Sequence, residues 1–318
     1  MRNPYRVGAR LSTWVVMLLV ALALGAPVTA QAQEEKEKKI PAPETLVLPT
    51  KDGVLLACTW YGSIEGKKAV PIILMHGEGG NRKQFDALAS KLQGLGFAVI
   101  SFDMRGHGDS NRMQNNRELP APERMNRLQW EAVVGFDLQT VKQFLLDKND
   151  NEELNIDALG MVAADMSAIL AVNWVLLDYS WTDLPGRRQG KDIKALVLLS
   201  PQRSFKGMSL VPRTLLSGPM AVQSVLITNG SQEPGPHADA LKIYETLRQT
   251  HPEAPAAQKR ANEMLFMVEK TTKLQSVALL DPKLSLGVDN MIAAFLKWRL
   301  VDRQENFLWA SRKPAAGN

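Results

Sequence analysis

The chain has 318 residues, 45% of them hydrophobic and 22% charged, with a formal net charge of +5. That composition suits a globular protein with a sizeable core and excludes a disordered or fibrous chain. Arg2, Arg6 and Arg10 of the N-terminal segment supply three of the five net charges and leave +2 for the remainder, so no nucleic-acid partner is expected. Cys58 is the single cysteine, which excludes an internal disulfide and a thiolate metal cluster.

The first segment joins those arginines to an apolar run from Trp14 to Leu24, then to small residues ending in Val28-Thr29-Ala30 and Ala30-Gln31-Ala32. This is the pattern of a signal peptide over residues 1–32. The run is shorter than the ~20 residues a spanning helix needs. The expectation is export to the periplasm or beyond, with no stable membrane insertion after cleavage. Residues 33–43 alternate Glu and Lys between prolines and read as a disordered, solvated spacer. One domain is expected over 44–302, followed by a C-terminal tail over 303–318.

Leu46 to Leu48 and Val54 to Tyr61 read as antiparallel strands joined across Lys51-Asp52-Gly53. Val70 to Met75 is a continuous apolar run, as in a strand buried on both faces, and Gln84 to Leu95 has helical spacing that ends at Gly96. The alternation continues with a strand at 98–102, a helix at 123–148, a strand at 158–163 and a helix at 167–177. Strands at 195–199 and 224–228, a helix at 238–248, a strand at 276–280 and a helix at 290–300 complete it. Strands alternating with helices predict a mostly parallel, eight-stranded sheet covered on both faces. The stretch from Ser200 to Ala221 holds only a loop and a short helix, so no large cap domain is expected.

Leu74-Met75-His76-Gly77-Glu78-Gly79-Gly80 follows one predicted strand, and Asp103-Met104-Arg105-Gly106-His107-Gly108-Asp109-Ser110 follows the next. At this separation the two motifs resemble the α/β-hydrolase superfamily, nearest to its lysophospholipase, esterase and serine-aminopeptidase branch, from about Thr45 to Arg299. The resemblance implies that the His76-Gly77-x-Gly79 loop donates one backbone N–H, from Glu78, to an oxyanion hole, and that Met166 donates the other. It also implies that Arg105, Gly106, His107 and Gly108 form a scaffold loop.

In that superfamily the nucleophile stands on a sharp strand-to-helix turn. Here the turn reads Ala163-Ala164-Asp165-Met166-Ser167. Its small neighbours and an Asp that tolerates positive φ preserve the turn's shape, but a carboxylate forms no acyl-serine. Ser167 lies two residues too late, with its side chain expected to point into the helix. Gly230-Ser231-Gln232-Glu233 matches the spacing of the family's acid, placing Glu233 there. Leu284 or a neighbour stands where the histidine base belongs. His251, just past a helix, reads as a surface residue, whereas His237, four residues after Glu233, is the remaining candidate base near the carboxyl edge of the sheet.

The residues therefore point to an exported α/β-hydrolase-fold protein that has lost hydrolytic chemistry and binds a small-molecule ligand in the former active site or serves a structural role. The alternative is a hydrolase of esters, epoxides or halides with Asp165 as nucleophile, assisted by Glu233 and His237. No cofactor or metal is implied by either.

Overall fold

The computed structural model describes residues 39–185 and 188–313. The expected signal peptide and most of the spacer lie outside them. Residues 39–43, the described end of the spacer, are exposed and without regular structure.

Strands β1 (Glu44–Pro49) and β2 (Leu55–Tyr61) pair antiparallel, as the Asp52-Gly53 turn demands. Gly53 takes φ +87 there, a region open mainly to glycine. Strand β3 (Pro71–Met75) then leads to helix α1 (Asp86–Gly94) and strand β4 (Ala98–Phe102).

The predicted helix over 123–148 is broken into α2 (Arg127–Ala132), a π-helical turn at Val133–Asp137, and α3 (Leu138–Asp150). Strand β5 (Leu159–Ala164) runs into α4 (Ser167–Ser180), and β6 (Ile193–Leu199) follows. The 200–223 connection is more structured than expected. It holds a hairpin of β7 (Ser204–Phe205) and β8 (Met208–Ser209) and two single turns, α5 (Pro212–Leu215) and α6 (Gly218–Ala221). Strand β9 (Ser224–Gly230), α7 (Pro234–Leu247), α8 (Lys259–Asn262), β10 (Leu265–Lys270) and α9 (Val288–Arg299) complete the chain order.

The main sheet has eight strands in the order β1-β2-β4-β3-β5-β6-β9-β10. Only the β1–β2 and β2–β4 pairs are antiparallel. Its central strands show why their sequences are continuous apolar runs. Ile73 and Met75 face one core layer with Trp130, Trp174 and Leu170, while Ile72 and Leu74 face the other with Phe85, Leu92 and Phe295.

The expected last strand is corrected. Ser276–Leu280 is a 3-10 helix, and the eighth strand is Leu265–Lys270. As an edge strand β10 is covered only partly, and Leu265-Phe266-Met267-Val268 is interrupted at once by Glu269, so its apolar signal is short. The expected tail over 303–318 is likewise part of the packed structure as far as it is described. Arg312 is 3% exposed, and Asn149 and Asn155 donate to the carbonyls of Ala310 and Phe307.

Candidate active site

The β5–α4 turn has the shape expected of a nucleophile elbow. Asp165 sits at φ +53 between the last residue of β5 and the start of α4. Its N–H donates to Leu199 O at 3.0 Å, tying the turn to the end of β6. Ser167 is fully buried, and its hydroxyl donates to Met75 O and Ala164 O, so it faces the scaffold as expected.

Asp165 lies against the His76-Gly77 loop. A β-carbon on Gly77 would overlap Asp165 Oδ2 and come within 3.0 Å of its Cβ, so the lack of a side chain at Gly77 leaves the Asp165 carboxylate its place. Among the described residues neither the Glu78 nor the Met166 N–H has a hydrogen-bond partner. Both expected oxyanion donors are thus uncommitted.

Because β10 is the last strand, the loop that follows it begins well before Ser276. The segment after β10 is Thr271 onward, and it delivers Ser276 to the elbow: Ser276 Oγ donates to Asp165 Oδ2 at 2.6 Å. Leu284, proposed from sequence as the residue in place of the base, instead lies in a separate 3-10 turn and is 46% exposed. Sequence reasoning missed Ser276 because it placed the residue inside a strand. The clue available was the Thr271-Thr272-Lys273 stretch after an apolar run, which suits a strand end and a loop.

Ser276 is held in place by its neighbours. It adopts φ +58, and its N–H donates to Ser200 Oγ at 2.8 Å. Ser200 Oγ donates to Gln275 Oε1 at 2.7 Å, and the Gln275 amide grips Gly230 at both its N–H and its C=O. A Cβ on Gly230 would strike the carbonyls of Thr272 and Leu274. The loop after β9 and the loop after β10 are therefore joined through an amide.

Burial pushes the Asp165 carboxyl above its ordinary range, against the Ser276 hydroxyl that lowers it. A serine O–H donating to the carboxylate favours the ionised form.

Among the described residues, neither Glu233 nor His237 shares a hydrogen bond or ion pair with Asp165. Glu233 is exposed at the start of α7. His237 Nδ1 lies 3.2 Å from Glu269 Oε1 and 3.1 Å from Asn229 Nδ2, facing β9 and β10 side chains and sharing no hydrogen bond with Asp165. His251 is buried, not superficial, with its ring nitrogens 3.0 Å from Leu247 O and Gln223 O.

The motif residues of the scaffold are fixed by bonds of their own. His76 Nδ1 lies 2.8 Å from Gly77 O, and Nε2 accepts the Met104 N–H at 3.0 Å. Those bonds fit the neutral ring, and burial pushes its pKa down to about 3. His107 Nδ1 lies 3.0 Å from Arg105 O. Arg105 is clamped by Asp137 of the π-helical turn and by Asp52, so the extra residue of that turn aims a buried carboxylate at the motif.

The hairpin after β6 reaches over the loop that carries Glu78. Lys206, at φ +43 beside Gly207 at +82, contacts Glu78 Oε1 at 3.1 Å and donates to the carbonyls of Pro122 and Glu123 at 3.0 and 2.9 Å. Beneath it the rings of His76, His107, Trp130 and Phe205 follow one another at centroid spacings of 4.9, 5.4 and 5.0 Å. Among the described residues there is no group of His, Cys, Asp and Glu able to hold a metal ion, and no helix long and apolar enough to cross a membrane.

A family model described as the alpha/beta hydrolase fold matches residues 70–250. The chain belongs to this family. Its fold is similar to a Pyrococcus furiosus esterase, with TM-score 0.57 and 16% identity over 81% of this chain and 91% of that one. A carboxyl esterase from Bacillus coagulans is similar at TM-score 0.57 and 11% identity, over 82% and 100% of the two chains. Curated relatives from two strains of Mycobacterium tuberculosis, both uncharacterised, are 31% identical over 85 residues. The match spans 27% of this chain and 30% of each relative.

Proposed function

We propose that this family member is exported and that its elbow binds a small hydroxyl- or amide-bearing molecule without hydrolysing it through an elbow nucleophile and a histidine base. The supporting observation is the 2.6 Å bond between Asp165 and Ser276. It joins a carboxylate at the strand-to-helix turn to a hydroxyl from the loop after β10, a pair that supports binding and supplies no imidazole for acyl transfer. A ligand O–H or N–H would donate to Asp165, and the ligand oxygen would accept from the Glu78 and Met166 N–H groups. No cofactor enters this reading. The second reading, Asp165 as a nucleophile served by His237, draws no support from a His237 engaged with Glu269 and Asn229.

The test is calorimetric titration of the mature protein with butyramide and with 1-butanol, beside Asp165→Ala. Binding that weakens at least about tenfold in the variant is expected, the loss of one charged hydrogen bond. Equal binding by both proteins, or an ester adduct on Asp165 after exposure to an aryl epoxide, would overturn it. Export is checked by sequencing the N-terminus of the protein recovered outside the cytoplasm, which should begin near residue 33.

A further inference from the structure

We infer that Ser276 and Asp165 form a nucleophile–base pair in which the two loops have exchanged roles, so that a short-chain carboxylic ester bound at the elbow is opened by Ser276. This deepens the reading above and rests on it, because the ester carbonyl must occupy the same place as the bound ligand.

The geometry supplies each part. The Ser276 hydroxyl already points its proton at Asp165 Oδ2, at 2.6 Å, within the range expected of a nucleophile and its general base. Asp165 Oδ2 leans on Gly77, so the hydroxyl bonded to it is beside the loop whose next residue is Glu78. The N–H groups of Glu78 and Met166 are uncommitted among the described residues, as donors reserved for an oxyanion would be.

The positioning of Ser276 favours the same role. A non-glycine residue at φ +58 is strained, and such strain persists only where the surroundings enforce it. Here Ser200 holds its N–H and Gln275 anchors the preceding residue to Gly230. Ser276 is 6% exposed, so little room is open around its hydroxyl and a short acyl group is the one expected to reach it.

The reaction balances with water alone. Ser276 Oγ forms a bond to the ester carbon while its proton passes to Asp165, and the negative charge moves from the carboxylate to the carbonyl oxygen. Asp165 is therefore neutral when the oxyanion exists beside it, which removes their mutual repulsion. The ester C–O bond then breaks, the departing oxygen takes the proton from Asp165, and an acyl-serine remains. Water attacks that ester with Asp165 as base, releasing the acid and restoring Ser276. A carboxylate is a weaker base than an imidazole, so esters with good leaving groups are the class served.

The experiment treats the mature protein with p-nitrophenyl acetate and, separately, with the small reagent methanesulfonyl fluoride followed by peptide mass spectrometry. Slow turnover and a methylsulfonyl adduct on Ser276 are expected. Ser276→Gly, which suits φ +58 and so keeps the loop folded, should lose both. Asp165→Asn should slow turnover and labelling at least about 100-fold. Binding of butyramide by wild-type protein that neither labels nor turns over would overturn this inference and leave the binding reading standing. Labelling of Ser276 at an equal rate in Asp165→Asn would also overturn it, and absence of butyramide binding would remove both readings.

Discussion

Asp165, Gly77 and Ser276 form one packed group, and each constrains the next. The Asp165 carboxylate occupies the space that a Gly77 side chain would need, so Gly77→Ala must displace it. We expect a destabilisation of about 1–3 kcal/mol from overpacking, together with weakened butyramide binding, read by urea denaturation and calorimetry. At Ser276 the backbone conformation separates two effects. Ser276→Ala and Ser276→Gly both remove the hydroxyl, but only glycine relieves φ +58. The Gly variant should therefore be the more stable by about 1 kcal/mol, and equal urea midpoints would contradict the strain. His76 gives the pH dependence. Its ring is neutral in the fold, with its pKa pushed down to about 3 by burial, whereas an unfolded histidine titrates near 6.5. The unfolded state then binds more protons below about pH 6.5, so stability present above that value is lost as pH falls towards 3. Between pH 6.5 and 5 the loss from this one residue should approach about 2 kcal/mol, and His76→Asn should flatten that part of the curve.

Among the elements, the β7–β8 hairpin is small but strategically tied. Lys206 satisfies its ammonium with one carboxylate and two backbone carbonyls, and the Phe205 ring packs on Trp130 at 5.0 Å. Lys206→Met would remove the polar tie and keep the apolar packing. Amide exchange should then quicken in residues 204–209 and 122–125 and stay unchanged in β5. No change in 204–209 would show that ring packing alone holds the hairpin. The elements also mark where sequence patterning was readable. β3, β4, β5 and β6 are buried on both faces and announce themselves as apolar runs. β10 lies at the sheet edge with a broken pattern. Ser276–Leu280 carries three apolar residues that pack on the core without belonging to the sheet, since Leu279 and Leu280 are buried on a 3-10 turn. Burial produced the apolar signal in both places, and only strand pairing distinguishes them.

At the scale of the molecule, the segment after α9 closes the fold from below. Arg312 meets Asp157 at 2.7 Å and Asp192 at 2.5 Å, and Lys142 meets Asp192 at 2.8 Å and also pairs with Asp178. These groups are 5% exposed or less, so removing one cation leaves buried charge uncompensated. Arg312→Ala should cost about 3–5 kcal/mol, measured as a lower urea midpoint at neutral pH. A loss below about 1 kcal/mol would show that Arg188, 2.7 Å from Asp157, takes over the pairing.

The sequence by itself determined the fold class, the scaffold motifs and the substitution of Asp165 at the elbow. Those features are local: an apolar run, a glycine-rich connection and a residue identity at a turn are each written in neighbouring positions. It could not determine which residue meets Asp165, because Ser276 stands 111 positions away and reaches it only through the register of an edge strand and the amide clamp of Gln275 on Gly230. His237 looked close to the acid position along the chain, yet the start of α7 turns it towards Glu269. Contacts between loops of a parallel sheet depend on strand order, and strand order is set by the packing of the whole chain.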